Sequence, residues 1–378
     1  MKTEVIVVGA GPAGSLAALI LARAGVAVRV LDRARFPRDK LCGDTLNPGA
    51  LAILDRHQLG EAVRRRALSI SGMTVTGPAG ASVSADYPRG LRAAAITRRD
   101  LDLLLLEAAA DAGARFDSGT AVVEPLVGED SRVAGVRIAH SAGHDRLPAR
   151  VVIVADGRGS RLASRLGCAR FARAPRRWAF GAYFAGVDGL SSRGEMHIRA
   201  DGYIGVAPVP GGRVNVCVVR EARCGAAPRV DQETVIGDGL RSDPVLRERF
   251  RSAERISGVT VLGPLAMDAS AAGAPGALLA GDAAGFVDPM TGDGLRFALR
   301  GAELAAAAAL EELTTGVPAY RQLRDARARE FTSKWRVNRA LRSLVGSPGA
   351  VGLAARLARS WPAPVEYLIG VAGDVRRT

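Results

Sequence analysis

Apolar and polar positions near the start of the chain predict a β-α-β unit. An apolar run at residues 5–8 leads into Gly9, and a second run at residues 26–31 ends at Asp32. The segment after Gly14 is rich in alanine and leucine and is long enough for a helix. Short β-branched runs are typical of buried parallel strands, so we expect strand, helix and strand.

Two later runs repeat this pattern far downstream. Residues 149–155 lead into Asp156 and Gly157, and residues 277–280 lead into Gly281 and Asp282. Each run has the apolar character of a buried strand. The acidic residue then emerges at the carboxyl end of the strand, where open α/β sheets bind ligands.

The middle of the chain has a different pattern, which indicates a second sheet. Residues 178–184, 195–198 and 213–219 are predicted strands within the segment 170–263. Residues 72–95 are expected to add a hairpin to the same sheet.

The last part of the chain is predicted to be helical and is rich in arginine. After Thr314, apolar residues recur at three- and four-residue steps from Tyr320 to Val345, which predicts a helix with one partly apolar face. Packing of this face on the preceding domain is the favoured interpretation, and docking on a membrane surface is the alternative. Pro362 and Pro364 are expected to mark a break before a short tail.

The spacing G-x-G-x-x-G follows the first apolar run, at Gly9, Gly11 and Gly14. Gly9 permits a tight turn, Gly11 lets the backbone approach a pyrophosphate, and Gly14 allows close packing of helix on strand. Free N–H groups at the helix start attract phosphates, and Asp32 can accept hydrogen bonds from an adenosine ribose. Strand, helix and acid together predict a dinucleotide site.

Composition and charge limit the classes of partner that this protein is expected to bind. With 48% apolar and 24% charged residues, the 378-residue chain has the composition of a globular protein, with room for more than one domain. The net charge of +14 comes almost entirely from arginines spread along the chain. No nucleic-acid motif accompanies them, so we expect no nucleic-acid partner. The charge favours an anionic cofactor, an acidic substrate or an anionic membrane surface.

Neither a leader nor an apolar segment of membrane-spanning length is evident, so we expect a cytoplasmic protein, with peripheral membrane contact left open. The cysteines, Cys42, Cys168, Cys217 and Cys224, form no C-x-x-C pair and have no histidine spacing suited to zinc. They are expected to be reduced thiols, and no metal site is predicted.

A single nicotinamide-binding domain would not need the two downstream sites of glycine and aspartate. A longer cofactor that reaches from the first β-α-β unit to a distant strand would need them, and flavin adenine dinucleotide (FAD) has that length. The order of the G-x-G-x-x-G, D-G and G-D motifs resembles the flavoprotein monooxygenase (p-hydroxybenzoate hydroxylase-like) superfamily. Within it, the chain is most similar to the geranylgeranyl reductase group. The motif P-R-x-K-x-C-G appears at residues 37–43, R-x-x-L-D at residues 98–102 and P-x-x-G-x-G at residues 289–294. Asp44 stands where many members have another glycine.

This resemblance implies an α/β fold: a Rossmann-like FAD-binding domain with an inserted β-sheet substrate domain and a C-terminal helical segment. It assigns residues 1–71, 96–169 and 264–312 to the FAD-binding domain. The sheet domain would comprise residues 72–95 and 170–263, and the helical region residues 313–378.

The resemblance also implies cofactor contacts. Asp32 would bind the adenosine ribose, Arg33 and Arg98 would lie near the phosphates or the ribityl chain, and Asp282 would hold the ribityl hydroxyls. Asp156 and Gly157 would brace the pyrophosphate region. The backbone at Gly292 and Gly294, at a helix N-terminus, would face the flavin pyrimidine edge and stabilise negative charge on it. The predicted FAD-binding residues are Gly9, Gly11, Pro12, Ala13, Gly14, Asp32, Arg33, Cys42, Gly43, Arg98, Val122, Asp156, Gly157, Gly281, Asp282, Pro289, Gly292, Asp293 and Gly294.

Cys42 is the candidate catalytic residue. The resemblance places its thiol beside the flavin, where it can deliver a proton if its pKa is suitable. The alternative is a small buried residue in a loop beneath the cofactor.

The predicted substrate pocket consists of Trp178, Phe180, Tyr203, Gly205, Ala207 and Pro208. In the segment 202–208, Tyr203 and Pro208 match the Y-x-W-x-F-P pattern of geranylgeranyl reductases, but Gly205 and Ala207 replace its bulky residues. This widens the cavity unless Trp178 or Phe180 refills the space. Halogenases carry W-x-W-x-I-P here, so halogenation is disfavoured.

The first functional hypothesis is an FAD-dependent reductase that saturates a C=C bond in a bulky apolar substrate, such as an isoprenoid or a quinone tail. The alternative is a flavin monooxygenase that hydroxylates or epoxidises an aromatic or polyketide-type metabolite. A flavin-binding protein without turnover is a third. NAD(P)H is the expected reductant, and a separate electron donor remains open.

Overall fold

The computed structural model describes residues 3–140, 143–171, 177–199, 201–221, 231–286, 290, 292–345, 347–361 and 363–373. The strands are β1 (Val5–Val8), β2 (Val28–Asp32), β3 (Thr45–Leu46), β4 (Leu68–Ile70), β5 (Gly72–Thr76), β6 (Ser82–Asp86), β7 (Ala93–Ala95), β8 (Arg115–Ser118), β9 (Ala121–Val127), β10 (Val133–His140), β11 (Gly143–Pro148), β12 (Val151–Val154), β13 (Ala169–Phe171), β14 (Arg177–Ala185), β15 (Arg193–Arg199), β16 (Gly202–Val209), β17 (Arg213–Glu221), β18 (Glu254–Arg255), β19 (Thr260–Leu262), β20 (Met267–Ala269), β21 (Gly273–Ala274) and β22 (Ala277–Leu279). The α-helices are α1 (Pro12–Arg23), α2 (Pro48–Arg56), α3 (Gly60–Arg66), α4 (Arg98–Asp111), α5 (Arg161–Arg165), α6 (Gln232–Ser242), α7 (Leu246–Arg249), α8 (Gly294–Thr315), α9 (Tyr320–Val345), α10 (Pro348–Ser360) and α11 (Ala363–Ala372).

A six-stranded sheet in the order β21-β22-β12-β1-β2-β8 forms the centre of the first domain. The pairs from β22 to β8 are parallel, and Val5 of β1 is in register with Val28 of β2 and Val151 of β12. Helices α1, α4 and α8 pack on one face, and β10 with α5 packs on the other. Because both faces are covered, these strands are continuously apolar rather than alternating. The predicted α/β fold is confirmed.

The second sheet has eight strands, in the order β18-β14-β17-β16-β15-β5-β6, with β19 also paired to β14. The predicted hairpin at residues 72–95 supplies β5 and β6, whereas β7 pairs with β3 and β4 in a separate small sheet. Helices α6 and α7 cover one face of the large sheet. The other face is directed toward the first domain, at the end where the glycine motifs lie. The domain boundaries given above stay predictions.

Helix α9 packs on the first domain through the face that the sequence predicted. Leu323, Phe331, Asn338 and Val345 are buried on it. This agrees with the favoured interpretation, so the amphipathic face of α9 is not available for a membrane.

The predicted break falls between α10, which ends at Ser360, and α11, which begins at Ala363, so the short tail that follows is helical. Pro364 lies in its first turn. Backbone N–H groups in the first turn have no partner within the helix, so the missing N–H of proline costs no hydrogen bond there. The helix ends against the first domain: the backbone N–H of Gly49 donates to the carbonyl of Gly373 at 3.1 Å. Among the described residues, no helix combines the length and apolar character required to cross a membrane.

Candidate active site

A cavity of about 380 Å³ lies where the two domains and the C-terminal helices meet. Its lining includes Gly11 and Arg98 at one end and Met73 and Val75 of the large sheet at the other. The space is therefore continuous from the glycine motifs to an apolar chamber.

The glycine turn after β1 has the geometry that its spacing predicts. Gly9 has a φ of +100°, and a Cβ there would lie 2.4 Å from the carbonyl oxygen of Ala155. A Cβ on Gly14 would lie 1.8 Å from the carbonyl oxygen of Gly9, so no larger residue fits where α1 crosses the turn. Gly11 is the N-cap of α1 without a side-chain hydrogen bond, and it lines the cavity with Pro12 and Ala13. The helix N-terminus thus points its N–H groups into the cavity.

The predicted adenosine end lies outside the cavity. Asp32, at the end of β2, accepts hydrogen bonds from the backbone N–H groups of Ala10 and Ala34, both at 2.8 Å. Arg33 and Asp156, which were predicted near the phosphates, are exposed and also lie outside the cavity lining. Val122 of β9 packs against the core beneath β1. Asp32 therefore fixes the glycine turn, while its contact with a ribose stays a prediction.

Arg98 is buried at the start of α4 and faces the cavity. Its guanidinium forms a two-point pair with Asp102, at 2.7 and 2.8 Å, and Arg38 approaches the same carboxylate at 3.0 Å. Two guanidinium groups sharing one carboxylate leave a net positive charge at the cavity wall, which suits a phosphate-bearing cofactor.

Cys42 and Gly43 line the cavity next to Arg98. Burial raises the pKa of the Cys42 thiol above its ordinary value, and the charge of Arg98 opposes this only in part. The thiol is therefore protonated at neutral pH and can act as a proton donor but not as a nucleophile.

Lys40 is a site residue that was not among the predicted set, although its motif was recognised. It lines the cavity with Gly157, Gly281 and Asp282. Burial and the charge of Arg98 lower the pKa of Lys40, while Asp282 opposes the shift. Its position in P-R-x-K-x-C-G, two residues before Cys42, is the sequence signal that could have identified it.

The start of α8 forms a second helix N-terminus at the cavity. Gly292, with a φ of +67°, and Gly294 line it, and a Cβ on Gly292 would meet nothing within 4 Å. Asp293 does not point into the cavity: its carboxylate accepts a hydrogen bond from Asn47 at 3.0 Å and pairs with Lys334 at 2.8 Å. Its side chain therefore has a structural role, and a contact of Asp293 with the cofactor stays a prediction. Pro289 lies outside the described residues.

A buried polar cluster not found from the sequence lies directly behind Cys42. Asp44 is fully buried, and its Oδ2 accepts hydrogen bonds from the Tyr183 hydroxyl and, at 2.6 Å, from the Asn215 amide. Asn215 also donates to the Cys42 carbonyl at 2.8 Å. Oδ1 of Asp44 has no hydrogen-bond partner among the described residues. Burial raises the pKa of Asp44 to about 6, although the hydrogen bonds from Tyr183 and Asn215 oppose it.

The large sheet contributes alternate residues to the cavity. Tyr203, Gly205 and Ala207 of β16 line it, and a Cβ on Gly205 would meet nothing closer than the Cys217 carbonyl oxygen at 3.9 Å. The space left by the missing bulky residues is thus open.

Trp178, Phe180 and Pro208 were predicted for the same pocket, and the structure places them elsewhere. Ala179 of β14 lines the cavity, whereas Phe180 lies in the core beneath α6 and α7, with Trp178 packed beside it. Pro208 is buried but is not among the lining residues. Adjacent residues of a strand face opposite sides of the sheet, so neither aromatic ring can refill the space.

The C-terminal helices form a wall of the cavity that sequence reasoning missed. Val345 ends α9, Val351 and Ala354 lie on α10, and Leu368 and Ile369 lie on α11. Periodicity identified the first of these helices but gave no sign that their apolar faces enclose a ligand space.

The cavity's residues fit FAD. Two helix N-termini, at Gly11 and Gly294, open into one space together with the cationic Arg98 and Lys40. The glycines leave backbone free for close approach, and Asp282 supplies an acceptor between the two ends. An extended, doubly charged pyrophosphate with a planar ring system matches this donor set.

The fold and this site define an FAD-dependent oxidoreductase. The FAD binding domain family model matches residues 2–334, so the chain belongs to that family. Menaquinone reductase of Mycobacterium tuberculosis is 33% identical over 340 residues, covering 81% of this chain and 76% of the relative. Digeranylgeranylglycerophospholipid reductase 2 of Methanopyrus kandleri is 29% identical over 88% of this chain and 83% of its own. Within the family, the chain belongs to the geranylgeranyl reductase group.

Solved structures confirm the fold. The flavin-dependent brominase Bmp2 superposes with a TM-score of 0.85 over 99% of this chain and 94% of its own, at 18% identity. The flavin-dependent halogenase CmlS has a TM-score of 0.79 over 89% of this chain and 63% of its own, at 23% identity. At such identities the likeness extends to architecture and not to reaction.

Proposed function

We propose that this protein reduces a C=C bond in a bulky isoprenoid or quinone-like substrate. The observation that carries the proposal is the continuous cavity, with a charged end at the flavin motifs and an apolar end between the sheet and the C-terminal helices. The names of the curated relatives, a menaquinone reductase and a phospholipid reductase, agree with a polyprenyl substrate.

The apolar chamber determines the class of substrate. Met73, Val75, Met196 and Ile198 form its sheet side, and α10 and α11 close the opposite side. Such walls favour a flexible hydrocarbon chain, because burial of each CH₂ group contributes about 0.8 kcal/mol. Gly205 leaves room for a thicker group, such as a quinone ring, where related reductases have a bulky side chain.

The protein's own residues position the substrate and hold charge and protons. Bound FAD, when reduced, supplies a hydride to one carbon of the double bond. The protonated thiol of Cys42 lies at the cavity wall and delivers the proton to the other carbon. The N-termini of α1 and α8, with Arg98, stabilise negative charge on the phosphates and on the flavin ring of the bound cofactor.

The electron source is proposed to be NAD(P)H. The sequence has no second dinucleotide fingerprint, so the reductant either reaches the flavin transiently or transfers its electrons through a separate donor. Anaerobic mixing of the holoenzyme with NADH or NADPH separates these cases: bleaching of the flavin absorbance shows direct reduction, and an unchanged spectrum requires a separate donor.

The decisive experiment compares two oxidants of the reduced holoenzyme. The flavin is reduced anaerobically with dithionite and then mixed with menaquinone or geranylgeraniol, and in parallel with oxygen and an aromatic compound. Rapid reoxidation by the polyprenyl substrate without oxygen, with a saturated product by mass spectrometry, is expected. Oxygen-dependent reoxidation that yields a hydroxylated product would establish the monooxygenase alternative instead.

A further inference from the structure

Helix α10 is apolar on two sides, although only one of them is covered by the rest of the chain. Val351, Ala354 and Ala358, spaced by three and four residues, line the cavity. Leu353 and Leu357 lie on the opposite side, 52% and 58% exposed. A helix that is hydrophobic on both sides requires cover on both.

The exposed apolar surface continues past the end of α10. Trp361 follows Leu357 by four residues and is 66% exposed, and Tyr367 of α11 is 54% exposed. We call Leu353, Leu357, Trp361 and Tyr367 the C-terminal patch. Tryptophan and tyrosine are the aromatic residues enriched at membrane–water interfaces, because each has an apolar ring with a polar tip.

The sequence that leads into this patch is basic, although the exposed Glu366 adjoins Tyr367. Between Glu330 and Glu366 the sequence contains no acidic residue, but it has five arginines, at positions 336, 339, 342, 356 and 359. Arg336, Arg339 and Arg356 are exposed. Arg356 lies three residues after Leu353 on the same side of α10, so its charge stands beside the apolar stripe.

We propose that the C-terminal patch docks this protein on an anionic lipid bilayer, with α10 lying in the interface. The leucines and Trp361 would enter the headgroup–acyl boundary, and the exposed arginines would contact lipid phosphates. A second copy of the chain is the less suitable occupant, because a two-fold interface through this patch would bring two copies of the same basic surface together.

Docking in this orientation gives the cavity a lipid-facing wall. One side of α10 contacts the bilayer while the other lines the substrate space, so a hydrocarbon chain can pass between α10 and its neighbours without crossing water. This route rests on the proposed function; the docking itself does not.

The test is flotation of the holoenzyme with vesicles, which requires no turnover. Wild type is expected to bind phosphatidylglycerol vesicles, to bind pure phosphatidylcholine vesicles at least about tenfold more weakly, and to dissociate as salt rises. The triple variant Leu353→Ser, Leu357→Ser, Trp361→Ser is expected to lose at least about tenfold in partitioning. Arg356→Glu is expected to weaken binding chiefly at low salt.

The matched control replaces three exposed apolar residues outside the patch: Val127→Ser, Ile256→Ser and Val317→Ser, which are 55%, 44% and 56% exposed. This variant should bind vesicles as wild type does, and flavin absorbance verifies that every variant is folded. Equal binding by the triple variant, or equal loss in the control, overturns the docking surface. A wild-type dimer that the patch variant converts to monomer also overturns it, in favour of a second copy. Failure of alkene reduction with vesicle binding intact removes only the substrate route.

Discussion

At the scale of single residues, the cavity wall combines a protonated thiol with a buried carboxyl group. Cys42 faces the cavity, and Asp44 lies behind it within a cluster that includes Tyr183 and Asn215. Asn215 joins the two by hydrogen bonding to both the Cys42 carbonyl and the Asp44 carboxylate. A change at either residue therefore has a distinct measurable effect.

Cys42→Ala is expected to lower kcat for alkene reduction by at least about tenfold, since general acid catalysis contributes factors of 10² to 10⁴. Flavin binding should remain, because a smaller side chain creates no clash with the cofactor. Steady-state kinetics and flavin absorbance measure the two effects. Cys217→Ala is the matched control, because Cys217 is a second cysteine in the cavity lining. An equal loss of kcat in both variants would contradict proton delivery by Cys42.

Asp44 makes stability depend on pH in a known direction. Its folded-state pKa, raised to about 6 from 3.8, means that the folded protein retains a proton that the unfolded chain releases. The free energy of unfolding contributed by this group is therefore highest below pH 4 and falls as pH rises to about 6.

Asp44→Asn removes this titration. We expect the variant to match wild type near pH 4 and to exceed it by about 3 kcal/mol above pH 6, since each pKa unit corresponds to 1.36 kcal/mol. Urea denaturation across this pH range gives the difference. A difference that is constant with pH would show that Asp44 keeps its ordinary pKa.

At the scale of elements, the N-terminus of α8 depends on a side chain from α9. Lys334 of α9 reaches the buried carboxylate of Asp293, next to Gly292 and Gly294. The contact joins the C-terminal helices to the predicted flavin-binding loop. We therefore expect cofactor retention and helix docking to be linked.

Lys334→Met leaves a buried carboxylate without its cation and should reduce the free energy of unfolding by about 3 kcal/mol. It should also weaken FAD retention, measured by dialysis followed by fluorescence of released flavin. Adding Asp293→Asn should restore much of the stability. Arg336→Met, two residues away and exposed, is the control and should behave as wild type.

Elements whose determinants lie close together in sequence could be predicted, and contacts between distant segments could not. The turn at Gly9, the strand that precedes Gly281 and the helix after Gly292 each follow from a short local pattern. The Asp44 cluster joins residues from three separate segments and leaves no local pattern. The incorrect placement of Trp178 and Phe180 has another cause: both faces of β14 are covered, so no polar alternation indicates which side faces the cavity.

At the scale of the whole molecule, we expect the space between the large sheet and the C-terminal helices to limit substrate size. Gly205 stands at the centre of one wall, and the described side chains leave the volume above it open. We therefore expect this position, together with α10 and α11, to set the width of the accepted substrate.

Gly205→Trp is expected to reduce kcat/KM for substrates with a bulky ring by about tenfold or more, while a plain isoprenoid alcohol is less affected, because overpacking excludes the thicker ligand first. Parallel assays with menaquinone and geranylgeraniol measure the ratio. Gly258→Trp is the control, since Gly258 is exposed and outside the cavity. An equal loss with both substrates would argue against a role in selecting width.

The order of strands in the parallel sheet affects how the protein matures. β1 lies between β2 and β12, and β22 joins only after residue 276, while Gly294 follows after more than three-quarters of the 378 residues. A nascent chain therefore presents the Gly9 turn long before its partners in the cofactor site exist. FAD can be captured only near the end of synthesis. Until β22 is made, the apolar edge of β12 is open to mispairing, so slow translation or scarce flavin should favour aggregation of incomplete chains.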